Sequence, residues 1–312
     1  MPTSTRTCAT SCSGPGITSP TWRSSASNAS CTCANRFEEP GMPTTTTAQE
    51  YSIGEIMAVA IARQMKEHDG DWAAVGAYSQ LPAAALKLAR ILYAPNLWWL
   101  AGGGGAINSS SRLQTSTSDH RVLRGAEYVM NMEDIVDIEM WRHNRDNEKI
   151  VAVIGGIQID KYGSSNMVCV GDYASPKVRG VGTVGLCFGV SFGILYFFTM
   201  HHNPKIFVEQ VDFISSPGHT AERKKHVQSL CVGPRLVYSP LGVFDFAPET
   251  GTMRIRSLHP GVSVDEVQAK TGFELIVPAR IALTEAPTAR ELALLRTQVD
   301  PDGLLGKLRI TR

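Results

Sequence analysis

The sequence lacks an excess of either charge and lacks a long uninterrupted apolar segment. Thirty Lys and Arg residues against 29 Asp and Glu residues leave a formal net charge of +1. No overall electrostatic field therefore attracts nucleic acid or an anionic membrane. The most apolar segment, residues 181–200, is broken by glycines at 182, 185, 189 and 193, so it predicts a buried strand with its approach loop and not a membrane span. We expect neither nucleic acid nor a membrane as a partner.

Cysteine is scarce, with seven residues in a chain of 312. An odd number argues against a disulfide framework and predicts a reducing compartment, which we take to be the cytoplasm. Apolar residues make up 43% and charged residues 19% of the chain, values typical of a globular enzyme. The adjacent pair His201-His202 lacks the spacing of helical zinc ligands and predicts a solvent-facing loop end. No metal site is expected.

Residues 1–41 differ in composition from the rest of the chain. They are dense in Ser, Thr, Cys, Gly and Pro, and they show no period that would create a face to bury. Three interpretations are open: a metal or redox site built from four cysteines, an organellar transit peptide, or an over-extended reading of upstream sequence with Met42 as the natural start. The third is preferred, because a clear globular signal follows Met42 at once. Residues 1–41 are therefore predicted to be a disordered or wrongly assigned extension, and residues 42–312 to be one domain.

Helices and strands alternate in the first half of that domain, and strands dominate the second half. Ser52 to Glu55 is a capping box that predicts a helix start. The next predicted elements are a strand at 72–75, a helix at 82–92 and a strand at 97–100 that ends at Gly102-Gly103-Gly104-Gly105. Further predicted strands are 150–154, 194–199, 206–208, 211–214, 235–238 and 243–246, and further predicted helices are 264–270 and the segment after the capping box Thr288 to Glu291. This order predicts an α/β fold with an open sheet, in which ligands bind at the carboxyl ends of strands.

Two short motifs match well-known patterns without the context that those patterns need. Residues 180–185 fit G-x-G-x-x-G, but the preceding residues contain Pro176, Lys177 and Arg179 and do not form a core strand. Residues 189–193 fit G-x-S-x-G, but a strand and not a helix follows Ser191. A dinucleotide site and a serine hydrolase are both disfavoured on these grounds.

A set of longer strings is more specific when taken together. Residues 153–163 (VIGGIQIDKYG), the P-x-x-R string from Pro176 to Arg179, and residues 212–218 (DFISSPG) resemble the β subunit of glutaconate CoA-transferase. Residues 241–246 (LGVFDF) and 257–262 (SLHPGV) are similar to the β subunit of the bacterial steroid ring-opening CoA hydrolase. These strings occur in the same order across the domain. The chain thus resembles the β subunits of the family I CoA-transferase superfamily, and the resemblance implies that fold.

The resemblance also reveals a missing residue. In family I CoA-transferases a β-subunit glutamate attacks the thioester, and it follows the strand after a Y-A-P string. Counted from Tyr93-Ala94-Pro95, its position falls at Gly102, and no carboxylate lies between Pro95 and Asp119. Glycine has no side chain to carry an acyl group, so covalent transfer through this position is excluded. The ring-opening hydrolase is similar in having glycine there, with its essential glutamate thought to lie on the α subunit.

The resemblance implies a β-type subunit that works with an α-type subunit, as an α2β2 assembly, on an acyl-CoA thioester as substrate and without a bound cofactor. The preferred activity is hydrolytic carbon–carbon (retro-Claisen) ring opening of a catabolic intermediate such as a steroid degradation product. A CoA-transferase with a different nucleophile and a non-catalytic structural subunit are the alternatives. Arg179 is the candidate cationic catalytic residue, with a loop ion pair as the alternative. Gly102, Gly103 and Gly104 are candidates for an oxyanion cradle or for substrate space, and Gln158 and Asn166 for substrate binding, with hydrogen bonding in turns as the alternative for the last two.

Overall fold

Ten strands form one open sheet in the part of the chain that the structure describes. The structure is a computed structural model that describes residues 50–131, 133–135, 150–183, 185–186, 193–226 and 233–312. The extension predicted for residues 1–41 lies outside the described residues. In spatial order the strands of the sheet are β15 (Ala282–Leu283), β14 (Met253–Leu258), β13 (Gly242–Phe246), β12 (Gly233–Ser239), β10 (Ile194–Phe198), β5 (Ile150–Ile154), β1 (Trp72–Val75), β2 (Trp98–Ala101), β3 (Ala106–Ile107) and β4 (Tyr128–Val129).

The centre of the sheet is parallel and its flanks are mainly antiparallel. Strands β12, β10, β5, β1 and β2 run in one direction, and β13, β14, β3 and β4 extend them through antiparallel pairs. The five central strands are almost wholly apolar, as expected for parallel strands that are covered on both faces. The predicted open α/β sheet with a strand-rich second half is confirmed.

Alternate residues of the central strands pack into two separate cores. In β5, Val151 and Val153 face the helical side, while Ile150 and Ala152 face the other. The helical side is covered by α1 (Ile53–Gln64) and α2 (Gln80–Leu92), and near the C-terminus by residues that follow α6 (Ala289–Leu294). The other side is covered by a small sheet, β6 (Gln158–Asp160), β7 (Ser165–Asn166) and β11 (Phe207–Val208), and by α5 (Val264–Ala269). The remaining elements are α3 (His120–Arg124), α4 (Ala221–His226) and a hairpin of β8 (Cys169–Val170) and β9 (Val178–Arg179).

Most predicted elements are confirmed, several of them at their boundaries. The Ser52 hydroxyl accepts from the Glu55 amide at 3.2 Å, and the Glu55 carboxylate accepts from the Ser52 amide at 2.8 Å, so the capping box forms as predicted. The strands predicted at 72–75 and 150–154 match β1 and β5. Strand β14, with its alternating basic residues, was not predicted.

The strand predicted at 211–214 is wrong. Its backbone bonds to side chains instead of to a neighbouring strand: the Asp212 amide donates to Gln158 Oε1 at 3.1 Å. Phe213 stacks on Tyr173 with ring centroids 5.6 Å apart. Of the apolar residues in this segment, Phe213 packs against the loop that joins β8 and β9, Val211 is buried and Ile214 is exposed.

The solvent-facing position expected for the His201-His202 pair is wrong for His202. This ring is buried, stacks on Phe207 at 3.9 Å, and bonds through Nδ1 to Ser239 Oγ at 2.8 Å and through Nε2 to Thr271 Oγ1 at 3.0 Å. Burial lowers the pKa of His202 to about 3, so the ring is neutral at physiological pH. Two hydroxyls satisfy both ring nitrogens, which is what allows a histidine in this core.

Within the described residues, no three His, Cys, Asp or Glu side chains lie close enough together to hold a metal ion. No helix in that part of the chain is both long and apolar enough to cross a membrane.

A buried glutamate joins the C-terminal helix to α1 and α2. Glu291 accepts from Arg63 Nε and Nη2, each at 2.7 Å, and from the hydroxyl of Tyr93, which begins the Y-A-P string. Burial opposes ionisation of this carboxyl group, but the hydrogen bonds from Arg63, Tyr93 and Thr288 outweigh it and lower the pKa of Glu291 to about 2. The carboxylate therefore stays charged, and it locks three helices together.

Replacing Glu291 by Gln is expected to lower the free energy of unfolding at pH 7 by about 3 kcal/mol, because Arg63 loses its buried anionic partner and keeps only the exposed carboxylate of Glu285. The folded pKa lies below the unfolded value of 4.5, so this contribution is complete above that value and is lost as the pH falls towards 2. Urea unfolding of E291Q between pH 3 and pH 7 should therefore show a flatter acid limb than the parent.

The matched control is Glu285→Gln, which removes an exposed carboxylate 3.2 Å from the same arginine. We expect a change of at most about 0.5 kcal/mol there. Equal losses from both substitutions would contradict the role given to Glu291.

Candidate functional site

The carboxyl ends of β5, β1 and β2 lie side by side at one edge of the sheet. Strand β2 lies on one side of β1 and β5 on the other, with both pairs parallel. After β1 the chain returns to the sheet as β2, next to β1. After β5 it returns as β10, on the opposite side of β5. Such a reversal of direction opens a crevice in which α/β sheets bind ligands. Glycines follow all three strands, at Gly76, Gly102 and Gly155.

The turn after β2 is closed by its own backbone. The amide of Gly102 donates to the carbonyl of Val75 at 2.9 Å, and those of Gly104 and Gly105 donate to the carbonyl of Ala101 at 3.0 and 2.9 Å. Within the described residues, only the Gly103 amide in this turn has no acceptor. The turn therefore does not offer all four amides to an oxyanion, because three of them already donate to backbone carbonyls.

The same turn leaves no room for side chains. A Cβ atom on Gly102 would lie 2.8 Å from the Val75 carbonyl oxygen, and one on Gly103 would collide with Ser118 Oγ. Gly105 has φ +69°, and a Cβ there would collide with the Met130 carbonyl. The nearest atoms around the turn belong to Val75, Ala77, Thr117, Ser118, Leu123 and Met130. None of these residues is acidic.

Gln158 and Asn166 form a buried hydrogen-bonded pair at the end of the small sheet. The amide group of Asn166 donates to Gln158 Oε1 and to the Cys169 carbonyl, each at 2.6 Å, and its oxygen accepts from the amides of Val168 and Cys169. Gln158 in turn donates to Asp212 Oδ2 at 3.0 Å. Asn166 has no donor or acceptor left for a ligand, whereas one N–H of the Gln158 amide group makes no bond within the described residues.

These side chains hold the β8–β9 hairpin in place. Asn166 fixes the start of β8 through Cys169, and the Asp212 carboxylate accepts from the amide of Gly171, at the far end of β8, at 2.8 Å. Tyr173, in the hairpin loop, stacks on Phe213. Three polar side chains and one aromatic pair thus position a small exposed hairpin that would otherwise be free to move.

Arg179 lies on this hairpin and is exposed. Its Nη2 donates to the Tyr173 carbonyl at 3.1 Å, and its guanidinium group lies over the Tyr173 ring at 5.2 Å. Among the described residues, both of these contacts are to Tyr173, and no carboxylate pairs with Arg179. No contact within the described residues joins Arg179 to the glycine turn. The chain passes from the carboxyl end of β5 through Gly155-Gly156 into β6 of the small sheet, and the hairpin follows β7 in sequence.

Sequence reasoning missed residues at the centre of this edge. Tyr78, after β1, is 82% exposed, and Ser79 is buried at the start of α2. Asp212 was placed in a strand, although its carboxylate supports the hairpin. The sequence signal that could have indicated Tyr78 and Ser79 was their position between a buried strand and a helix, where ligands are expected in such sheets.

The two motifs that were disfavoured gain no support from the structure. Residues 180–183 follow the short exposed strand β9, which is not the buried strand that a dinucleotide site needs. Ser191 of the G-x-S-x-G string lies outside the described residues.

Comparisons with known proteins identify the family. The chain belongs to the coenzyme A transferase family, whose sequence model matches residues 55–270. It is 30% identical to the B chain of glutaconate CoA-transferase from Acidaminococcus fermentans, over 80% of this chain and 93% of that protein. It is 27% identical to the cholesterol ring-cleaving hydrolase IpdB subunit of Mycobacterium tuberculosis, over 80% of this chain and 95% of that protein.

Solved structures show the same fold. The crystal structure of glutaconate CoA-transferase from Acidaminococcus fermentans matches with a TM-score of 0.75 at 28% identity, over 82% of this chain and 97% of that chain. IpdAB of Rhodococcus jostii matches with a TM-score of 0.69 at 26% identity, over 83% of this chain and 98% of that chain. The resemblance predicted from the sequence strings is confirmed.

Replacing Asn166 by Ala is expected to destabilise the protein by about 2 kcal/mol, because the Gln158 side chain and the Cys169 carbonyl lose a buried partner. The hairpin should also open more often, so trypsin should cleave after Lys177 and Arg179 faster than in the parent. Limited proteolysis with mass spectrometry measures this directly.

Asn203→Ala is the control, because Asn203 caps only a local turn by accepting from the Lys205 amide at 3.0 Å. It should leave hairpin cleavage unchanged. If N166A is cleaved no faster than N203A, the support assigned to the buried network is wrong.

Proposed function

We propose that this chain is the β-type subunit of a heteromeric enzyme that hydrolyses a carbon–carbon bond in a CoA-linked catabolic intermediate, such as a steroid degradation product. The substrate is a coenzyme A thioester, no bound cofactor takes part, and the enzyme works in the reducing cytoplasm. The observation that carries the proposal is the closed glycine turn, because a covalent transferase needs a carboxylate at that position.

The geometry of the turn strengthens what the sequence alone suggests. A glutamate at position 102 would need the backbone to move, since its Cβ would lie 2.8 Å from the Val75 carbonyl oxygen. Among the described residues, none of those whose atoms lie nearest to the turn carries a carboxylate. The likeness to a ring-cleaving hydrolase subunit over 95% of that protein agrees with non-covalent chemistry.

The partner in this proposal is an α-type subunit, and the assembly is α2β2. The relatives and the solved structures support a partner subunit. The relatives are the B chains of their enzymes, and the matched crystal structures include the two-subunit enzyme IpdAB. An acyl-CoA transferase chain from Escherichia coli has the same fold, and this chain covers only 44% of it. In the proposed assembly, the partner subunit would correspond to the rest of that longer chain.

The chemistry requires a base, water and a site for negative charge. Water activated by a base adds to a ketone carbonyl of the substrate, and the bond to the carbon next to the thioester breaks. The electron pair moves onto the thioester as an enolate, which is then protonated, and the ketone carbon becomes a carboxylate. In this proposal the base belongs to the partner, while the Arg179 guanidinium and the Gly103 amide stabilise developing negative charge.

Two rival functions remain open to test. Group transfer is favoured by 30% identity to the B chain of glutaconate CoA-transferase, so a transferase with another nucleophile is the second candidate. A catalytically silent subunit that only completes the partner's site is the third. The three differ in whether an acyl-enzyme forms on this chain and in whether its own residues affect turnover.

Incubation of the two-subunit complex with acyl-CoA and borohydride is expected to leave this chain unmodified, because no carboxylate in its turn forms a reducible thioester. Intact-protein mass spectrometry measures the result. A reduced glutamyl residue on this chain would establish covalent transfer and rule out the hydrolase.

Replacing Arg179 by Ala is expected to lower kcat by about 100-fold with little change in KM, because the lost cation acts on charge that develops in the transition state. Lys177→Ala, on the same hairpin, should keep kcat within about twofold of the parent. Unchanged turnover in R179A would remove the catalytic role of Arg179 and favour a silent subunit.

A further inference from the structure

A cleft at the amino edge of the sheet lies at the opposite end of the strands from the glycine turn. Its volume is about 370 Å³, at the small end of the range for ligand sites. Strand β12 is parallel to β10 and β5, and β13 reverses direction between β12 and β14, so the start of β12 and the end of β13 mark the amino edge. The residues that line this amino-edge cleft include His219, Pro234, Arg235, Asp245, Phe246 and Arg256.

One wall of the amino-edge cleft is apolar and is fixed by close packing. The Phe246 ring and Pro234 both pack against Gly163, where a Cβ atom would lie 2.6 Å from Phe246 Cζ and 2.9 Å from Pro234 Cγ. The ring of His219 packs against Phe246 with centroids 4.9 Å apart. Phe246 remains only half-buried, so a fixed aromatic surface faces the cleft. Such a surface suits the flat apolar part of a small ligand.

Arg256 supplies a positive charge without a partner. Its side chain is exposed, and it makes no hydrogen bond or ion pair within the described part of the chain. Its neighbour on the same face of β14, Arg254, donates from Nε and Nη2 to the two carboxylate oxygens of Asp245, at 2.8 and 2.9 Å. That pair neutralises the carboxylate that lines the cleft. The charge of Arg256 is therefore available to an anion.

Arg235 lies close by, in an ion pair with Glu67 at 3.0 Å. The side chains of this pair are 39% and 50% exposed, so the pair is weak and holds the arginine only loosely. Burial raises the pKa of Tyr196 to about 12, and the positive charges of Arg235 and Arg256 both oppose this rise. Both guanidinium groups therefore lie near the same buried hydroxyl.

We propose that the amino-edge cleft binds a small aromatic carboxylate, with its carboxylate on Arg256 and its ring against Phe246 and Pro234. The two ion pairs beside the cleft are each neutral, so one positive charge remains and matches a monoanion. A phosphate dianion needs a second free cation. A guanidinium group also offers two parallel N–H donors, which match the two oxygens of a carboxylate. This site goes beyond the proposed function and does not depend on it.

The test measures how benzoate, its neutral isostere benzamide and inorganic phosphate bind to the two-subunit complex, by ligand-observed NMR titration. We expect benzoate to bind with a Kd of about 1 mM, and benzamide about tenfold more weakly because it lacks the charge. Phosphate at equal concentration should not displace benzoate. In Arg256→Ala the affinity for benzoate should fall about tenfold, while that for benzamide stays unchanged.

Arg280→Ala is the matched control, since it removes an exposed arginine that does not line the cleft. It should leave the Kd for benzoate unchanged. Arg256→Lys keeps the charge but loses the parallel donors, so the Kd should rise about threefold. R256A should melt at the temperature of the parent, because an exposed arginine without a partner contributes little to stability.

Three results would overturn the inference. If benzoate fails to bind, or binds no more tightly than benzamide, the cleft is not a carboxylate site. If R256A binds benzoate as well as the parent does, the ligand lies elsewhere. If phosphate displaces benzoate at lower concentration, the cleft takes a phosphate and the assignment of a carboxylate is wrong.

Discussion

The close approach of Gly102 to the carbonyl of Val75 limits which residues can lie in the turn at the carboxyl edge of the sheet. The parallel register of β1 and β2 brings the two backbones within hydrogen-bonding distance, and only a residue without a Cβ fits between them. Ala77 and Ser118 then pack against Gly103 and close the turn. The position that the sequence resemblance assigns to the acyl-carrying glutamate of family I transferases is thereby occupied by backbone, and in the proposed function the reactive groups come from the partner subunit and from Arg179.

A second constraint is a hydrogen-bonded network of polar side chains that supports the β8–β9 hairpin. Asp212 is distant in sequence from Gln158 and Asn166, yet the three side chains form one chain of hydrogen bonds that reaches the backbone of the β8–β9 hairpin. Such a network is costly when incomplete, and its completeness fixes one position for the hairpin and its arginine. On the opposite face, Glu291 connects the C-terminal helix to α1 and α2, so both layers are held to the sheet by specific polar contacts as well as by apolar packing.

Local patterns in the sequence were enough to predict the elements whose ends are encoded locally. The Ser52 capping box, the apolar run of β5 and the strand predicted at 243–246 all depend on neighbours in the chain. What failed depends on distant residues. The strand expected at 211–214 gave way to bonds with Gln158, more than 50 residues earlier. His202 was expected in solvent because its two hydroxyl partners, Ser239 and Thr271, cannot be read from its own surroundings in the sequence.

The candidate site shows the same division. The absence of a carboxylate at Gly102 is visible in the sequence, but the closure of the turn and the use of its amides are visible only in three dimensions. The most direct measurement is a crystal structure of this chain with its partner subunit and an acyl-CoA bound. The account predicts that any carboxylate within about 3.5 Å of the reacting carbonyl carbon belongs to the partner. A carboxylate of this chain at that distance would contradict it.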